Sequence, residues 1–278
     1  MKTNVFYVKT IMSENKDLTI FINTHVDFEA PVSSDTYCVV SSNDSYTGPL
    51  KHYKAELPWI LNDSFYSELY MMTWVARNIE LPKYVGFCHY RRYFSFLDEI
   101  PDMSAVFSDS EILLPKPVEN DITNYEFYAL CHNHKDMDLI EQIIHGLYPS
   151  YGKFFSMFCQ GKSMFPCNMF IMESKMFLKY MLFIHDILNE YIKIKGMDFE
   201  KVVEENKEDY LKEFAPNNSV GYQKRIGGFL AERLTNVFVL GNFNNATVYD
   251  LVITEDKYNE TINGTQEEDN TQEKAKEE

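Results

Sequence analysis

The sequence predicts an α/β fold, and three observations carry that prediction. Short apolar runs rich in β-branched and aromatic residues alternate with longer segments of helical periodicity, the pattern of strands connected through covering helices. The 278 residues, 45% hydrophobic and 15% aromatic, suffice for one sizeable core. No internal repeat interrupts the alternation.

The first expected strand is Leu18, Thr19, Ile20, Phe21, Ile22 and Asn23, with Asn23, Thr24 and His25 at its carboxyl end. A helix over residues 64–78 follows, capped by Asp63 or Ser64. Tyr66, Leu69, Tyr70, Met71, Met72, Trp74 and Val75 make it apolar nearly all round and hence deeply packed. A buried strand begins at Tyr84, and Ile112, Leu113 and Leu114 form another, stopped by Pro115 and Pro117. In the second half, Ile140, Ile143, Ile144 and Leu147 recur at helical spacing, as do Phe177, Tyr180, Met181, Ile184, Ile187, Leu188 and Tyr191. Between them, residues 165–172 read as a turn entering a buried strand. The last strong helix starts after Gly227 and Gly228 and carries Phe229, Leu230, Leu234, Val237 and Phe238. The chain thus divides into a leader (1–17), one folded domain (18–254) and an acidic tail (255–278). The tail's Glu, Asn, Thr and Gln bury too little apolar surface to offset ordering entropy, so disorder is expected there.

The formal net charge of −16 argues against non-specific nucleic-acid binding, which needs broad cationic surfaces. Five cysteines without CxxC spacing suggest neither a disulfide framework nor a zinc ribbon, so a reduced, cytoplasmic chain is expected. No apolar run approaches the roughly 18 residues that span a bilayer, which leaves room for peripheral association at the inner face of the membrane. Phosphate-loop, dinucleotide-fingerprint, nucleophile-elbow and His-Glu-x-x-His signatures are all missing.

Within this acidic chain, the run from Tyr84 to Phe94 ends a strand in two adjacent arginines, Arg91 and Arg92. Alternation along an extended chain sends His89 and Arg91 to one face, Tyr90 and Arg92 to the other. Guanidiniums held by aromatic neighbours such as Tyr90, at the carboxyl end of a strand in an open α/β sheet, suit a phosphate or carboxylate. The alternative is a pair of solvated arginines. Glu232, on an otherwise apolar helix after a glycine pair, is the first candidate general base; the alternative is an ion pair with Arg225 or Arg233. Arg225, Gly228 and Glu232 fall three and four apart, on one face if the helix includes Arg225. Glu68, in the packed helix, needs a partner, for which Arg91 or Arg92 is the candidate. His132, His134, Asp136 and Asp138 have metal-compatible spacing, but the two aspartates equally suit the first turn of the next helix. Asp98, Glu99 and Asp102 are expected to form a solvated loop.

Three segments resemble the hallmark of one family, domain of unknown function 4422. They are Ser67, Glu68, Leu69 and Tyr70 with Trp74 and Asn78, running on into residues 84–94; residues 167–172; and residues 222–234. The similarity spans about Leu18 to Leu240. Two positions depart from the family pattern: His25 is followed by Val26 instead of Lys, and Ser67 stands in place of Cys. The family is found among glycosyltransferase-like proteins of capsular and exopolysaccharide biosynthesis. The resemblance implies a GT-A-like single domain with a mixed, mostly parallel central sheet flanked by helices, and transfer from a nucleotide sugar, a UDP-sugar by preference, to a glycan or lipid-linked oligosaccharide. It implies donor nucleotide and diphosphate contacts at Thr24, His25, His89, Arg91 and Arg92, and sugar or acceptor contacts at Asn168, Arg225 and Gly228. Glu232 would be the catalytic base, with Glu68, Tyr90 and Arg233 in support. Many such enzymes hold a divalent cation, Mn or Mg, through Asp-x-Asp. Here His89, Tyr90, Arg91 and Arg92 stand at the corresponding strand end, so no metal ligands are assigned and arginines are expected to do the cation's work. Two other functions stay in view: a non-catalytic nucleotide- or sugar-binding module, and a metal-dependent hydrolase built on His132 and His134.

Overall fold

Nine strands form one mixed sheet in the computed structural model, which describes residues 17–57, 63–196 and 220–254. The expected leader, except for Asp17, and the expected disordered tail lie outside the described residues. β1 (Leu18–Thr24) lies parallel between β2 (Tyr37–Ser41) and β4 (Tyr84–His89), and β3 (His52–Lys54) extends the edge beyond β2. On the other side of β4, β9 (Phe170–Glu173) runs antiparallel, followed by β6 (Ile112–Pro115) and β10 (Ala246–Tyr249). The spatial order is β3-β2-β1-β4-β9-β6-β10, with β9 alone running against the others along that path. The mixed, mostly parallel sheet predicted from the sequence is therefore present.

β1 and β4 are buried along their whole length, which is why they read as continuous apolar runs and not as alternating ones. Phe21 and Phe87 stack at 5.5 Å on the face covered by α2 (Glu68–Asn78), α7 (Ser174–Lys195) and α9 (Ile226–Asn242). The opposite face, with Ile20, Ile22 and Cys88, packs under α3 (Met103–Asp109) and the loop around Phe28 and Val32. Each large apolar side chain buried in these layers contributes about 1.5–3 kcal/mol.

The helix expected over 64–78 is interrupted. α1 (Asp63–Tyr66) and α2 are separated by Ser67, whose φ of 52° breaks the helical backbone. The run from Tyr84 is likewise not one strand. It turns at Tyr90 and Arg91 and returns as β5 (Arg92–Phe94), paired at His89 with Arg92. β11 (Leu251–Ile253) closes over β5, and the Thr254 N–H donates to the Arg91 carbonyl at 3.1 Å.

The remaining described elements are β7 (Val118–Glu119), α4 (Asn124–Cys131), α5 (His134–Leu147), a 3₁₀ turn at Pro149–Tyr151, α6 (Gly152–Gln160), β8 (Ser163–Met164) and α8 (Val220–Gln223). His134 opens α5, and Asp136 occupies its first turn, as the helical alternative for this segment required. Asp136 is nevertheless buried, accepting from the Tyr191 hydroxyl at 2.7 Å and facing Lys195 at 2.9 Å. The acidic group after the arginines is exposed yet structured: Asp98 accepts from the Ser33 and Ser34 backbone N–H groups, and Asp102 caps α3.

Candidate active site

The carboxyl end of β4, the Tyr90–Arg91 turn, the end of α4, the loop before β9 and the start of α9 meet around one open cleft of about 390 Å³. A smaller recess of about 260 Å³, lined by Asn23, Thr24, His25 and Ser42 among others, adjoins it. The two share Glu68, His89 and Arg225. Both volumes are near the lower end of small-molecule sites, which span ~300–1,000 Å³. A separate depression of about 300 Å³ beside β1 and β2, lined by Thr19 and Tyr37 among others, holds none of the predicted site residues.

The hairpin geometry overturns the expected alternation of the arginines, because a turn does not alternate faces: Arg91 and Arg92 both line the cleft. Tyr90 anchors the turn. Its N–H donates to the Asn23 carbonyl at 3.2 Å, and its carbonyl accepts from the Tyr93 hydroxyl at 2.9 Å. The Tyr90 ring packs on His89 at 4.3 Å, on Phe28 at 5.8 Å and edge-on against His25 at 5.6 Å. The Arg91 guanidinium lies 5.1 Å from the ring centroid. Stacking of this kind keeps a cation oriented while leaving its N–H edge for a ligand.

His89 is buried, and burial, with the charges of Arg91 and Arg92 adding to it, pulls its pKa down to about 3. The ring is therefore neutral near pH 7. Its Nδ1 accepts from the Arg91 N–H at 3.2 Å, which assigns the proton to Nε2, 3.8 Å from Glu68 Oε1.

Glu68 finds its cation on the other wall. Arg225, the residue preceding α9, pairs with it at 3.3 Å and also donates from Nη2 and Nε to Ser67 Oγ at 2.6 and 3.1 Å. The expected partnership of Glu68 with Arg91 or Arg92 is thereby corrected: the break at Ser67 turns the start of α2 toward α9. That approach depends on glycine, since a Cβ on Gly228 would sit 2.7 Å from Ser67 Cβ, and one on Gly227 would sit 2.4 Å from Phe65 Cε1. Both glycines lie inside the first turn of α9, not before it. Gly228 lines the cleft, and its missing side chain is what allows this packing.

Glu232 stands on the next turn of α9. One carboxylate oxygen accepts from the Cys167 N–H at 2.5 Å and the other from Arg233 Nη1 at 2.5 Å. The ion pair with Arg233 that the sequence left open exists, within a carboxylate fixed from two sides. Arg233 itself is buried, 5.1 Å from the Tyr128 ring centroid. The Cys167 N–H points this way because Cys167 and Asn168 are both left-handed, with φ of 66° and 51°. For a cysteine that conformation is costly and marks an over-determined site. Burial, with the Glu232 charge nearby, pushes the Cys167 thiol up to about 12, so it is no thiolate nucleophile. Asn168 is buried at the cleft, its Oδ1 accepting from the Thr235 hydroxyl at 2.8 Å.

Thr24 is buried and turned back on its own strand end, its hydroxyl donating to the Val26 carbonyl at 2.7 Å, while His25 is exposed. Both line only the recess. His132 and His134 do not form a metal pair: His132 is buried in an aromatic stack with its Nδ1 3.2 Å from Gln223 Oε1, and His134 opens α5. Sequence reasoning missed Ser67, which lines the recess and holds Arg225, and the cleft positions of the Cys167 backbone, Phe127 and Tyr222. No signal announced the first two, which act through backbone conformation; the aromatic pair could have been flagged only by proximity to Arg225 and Glu232 in space.

Among the described residues that line the cleft are the guanidiniums of Arg91, Arg92, Arg225 and Arg233 and the carboxylates of Glu68 and Glu232, while burial holds His89 and His132 neutral near pH 7. The described residues do not suit a divalent cation: each cleft carboxylate is held by an arginine, and no group of three His, Cys, Asp or Glu side chains is arranged as ligands among them.

The profile of a family described as domain of unknown function DUF4422 matches residues 60–243, leaving β1–β3 outside the match. No curated protein matches the chain. Among solved structures, the apo structure of WbbM, a bifunctional glycosyltransferase, superposes with a TM-score of 0.65 at 20% sequence identity. The overlap covers 87% of this chain but 46% of that one, so the chain spans about half the length of its neighbour. The likeness establishes a GT-A-like fold.

Proposed function

The chain belongs to the DUF4422 family, and on that premise we propose that it is a glycosyltransferase that transfers a sugar from a nucleoside-diphosphate donor to a glycan or lipid-linked acceptor in the assembly of a surface polysaccharide. The observation that carries this reading is the placement of two adjacent arginines, Arg91 and Arg92, at the carboxyl end of β4, in one cleft with a carboxylate fixed by two donors. The glycosyltransferase fold of the structural neighbour supports it.

In this scheme the acceptor oxygen forms a bond to the donor's anomeric carbon as the bond from that carbon to the diphosphate oxygen breaks. The electron pair of the broken bond departs with the nucleoside diphosphate. Its growing charge faces Arg91 and Arg92, whose planar N–H edges suit phosphate oxygens. The neutral His89 adds an Nε2 proton donor without adding charge. In an inverting reaction the acceptor's proton goes to Glu232; in a retaining one Glu232 only positions the acceptor. The recess at Asn23, Thr24, His25 and Ser42 takes the nucleoside, a uridine by preference.

The test is turnover of a panel of UDP-, GDP- and ADP-sugars by the purified chain, with EDTA and with added Mn. Turnover of at least one donor, unaffected by EDTA, is expected. Binding without turnover would make the chain a nucleotide-sugar module, and turnover lost to EDTA and restored by Mn would remove the arginines from the cation's role.

A further inference from the structure

We propose that Thr235 is a positioning residue that turns the Asn168 side-chain amide so that its N–H edge, next to Glu232, holds a hydroxyl of the acceptor sugar. The inference rests on the transferase reading above and deepens it at the acceptor end of the cleft. It starts from the turn before β9. Cys167 and Asn168 both sit in the left-handed region, with φ of 66° and 51°, a backbone that persists only where the surroundings over-determine it. Three residues of α9 do so. Asn236 accepts from the Phe165 N–H at 2.8 Å and donates to the Phe165 carbonyl at 3.0 Å, Glu232 accepts from the Cys167 N–H at 2.5 Å, and Thr235 donates to Asn168 Oδ1 at 2.8 Å.

The Thr235 hydroxyl decides which edge of the amide meets the cleft. Behind it the fully buried Tyr180 hydroxyl lies 2.9 Å from Thr235 Oγ1 and, with no other hydrogen-bond partner among the described residues, donates to it. The single Thr235 proton is left for Asn168 Oδ1, shared with the Ala231 carbonyl at 2.8 Å, which the helix ladder already serves. Nδ2, the opposite end of the amide, has no hydrogen-bond partner among the described residues and is not sealed in the interior, although Asn168 as a whole is only 3% exposed. It therefore meets the cleft that Asn168 lines. Glu232 and Thr235 are three apart on α9, one turn along the same face, so the carboxylate and the amide stand as neighbours. A carboxylate that accepts beside an N–H that donates matches a hydroxyl, which does both, and disfavours a phosphate oxygen, which only accepts. In the mechanism proposed above the hydroxyl facing Glu232 is the acceptor's. The ligand of Asn168 is therefore the acceptor sugar and not the donor's diphosphate.

The test uses the full chain, labelled with nitrogen-15 for NMR, and its Thr235→Ser, Thr235→Val and Thr235→Val/Tyr180→Phe variants. The double variant leaves no Tyr180 hydroxyl without a partner and stands in should Thr235→Val fail to fold. The Asn168 side-chain NH2 signals are identified by their loss in Asn168→Asp. Probes are methyl β-D-galactopyranoside, methyl β-D-glucopyranoside and methyl α-D-mannopyranoside, with UDP, GDP and ADP affinities measured in parallel. At least one glycoside should move the Asn168 NH2 signals, in wild type and in Thr235→Ser alike. The valine variants should bind that glycoside about ten-fold more weakly, while nucleotide affinity holds. No movement of those signals with any glycoside, or equal glycoside affinity in the serine and valine variants, would overturn the proposal. So would a parallel loss of glycoside and nucleotide affinity, which reports a merely structural role. Thr235-dependent glycoside binding without affinity for any nucleotide would uphold the role of Thr235 and overturn the transferase reading, so the two fail separately.

Discussion

The two walls of the cleft hold their arginines differently. On the α9 wall each arginine is committed: Arg225 holds Glu68 and Ser67, and Arg233 holds Glu232. On the hairpin wall Arg91 and Arg92 stand side by side in a turn, and Arg92 has no ion pair among the described residues. The same residue type thus ties one wall together and, at Arg92, makes no ion pair with a described residue on the other. A guanidinium already neutralised by a carboxylate has little left to offer a diphosphate, whereas one that makes no ion pair among the described residues, as Arg92, is stabilised by an anion that binds beside it. On the transferase reading proposed above, the anion belongs on the hairpin and the proton acceptor on α9.

That division is broken most severely at Glu232. Glu232→Gln keeps the shape and still accepts from the Cys167 N–H, but it removes the proton acceptor. Transfer should fall by about 10³-fold in an inverting enzyme, with donor affinity changed less than about three-fold; wild-type-like turnover would remove Glu232 from the mechanism. Arg92→Ala should do the converse. Donor affinity and turnover should both drop, turnover by about 10²-fold, with little recovery in Arg92→Lys because an ammonium lacks the forked geometry. Equal donor affinity in Arg92→Ala, measured by calorimetry, would place the diphosphate elsewhere.

How much of this was legible beforehand differs between the walls. The buried strands announced themselves through composition: β1 and β4 are continuous apolar runs, and the arginine pair stood out against an acidic chain. The long periodic segments of α5, α7 and α9 were equally plain. What failed were the places where backbone conformation overrides side-chain pattern. Ser67 breaks a helix that its neighbours favour, and the turn at Tyr90 and Arg91 interrupts a run whose residues all suit a strand. Neither residue is a glycine or proline, the usual punctuation, so nothing local marked the breaks. Those two breaks decide which arginine meets Glu68, a contact between residues more than 150 positions apart.

The two walls also share a weakness toward acid. An unfolded histidine titrates near 6.5, whereas buried His89 and His132 accept protons only near 3. Between these values the unfolded chain binds more protons, so stability should fall as pH is lowered from 6.5 toward 3. His132→Phe, which preserves the stack with Phe229, should flatten part of that slope in urea titrations run between pH 5 and 7. An unchanged slope would mean that His132 is solvated and protonates as it does in the unfolded chain.

The smallest effect probes the joint between the walls. Ser67 accepts two N–H groups from Arg225 and does so at a φ of 52° and ψ of −130°, a region that glycine occupies without penalty. Ser67→Ala loses the hydroxyl but keeps the strain, and should destabilise by about 1–2 kcal/mol. Ser67→Gly loses the same hydroxyl and relieves the strain, so it should be more stable than Ser67→Ala by about 1 kcal/mol. The difference between the two variants in denaturant midpoint therefore reads the backbone term alone. If Ser67→Gly is the less stable of the two, the joint is not strained, and the turn that brings Glu68 to Arg225 is held by the Ser67 side chain and by the packing of Gly228 beneath it.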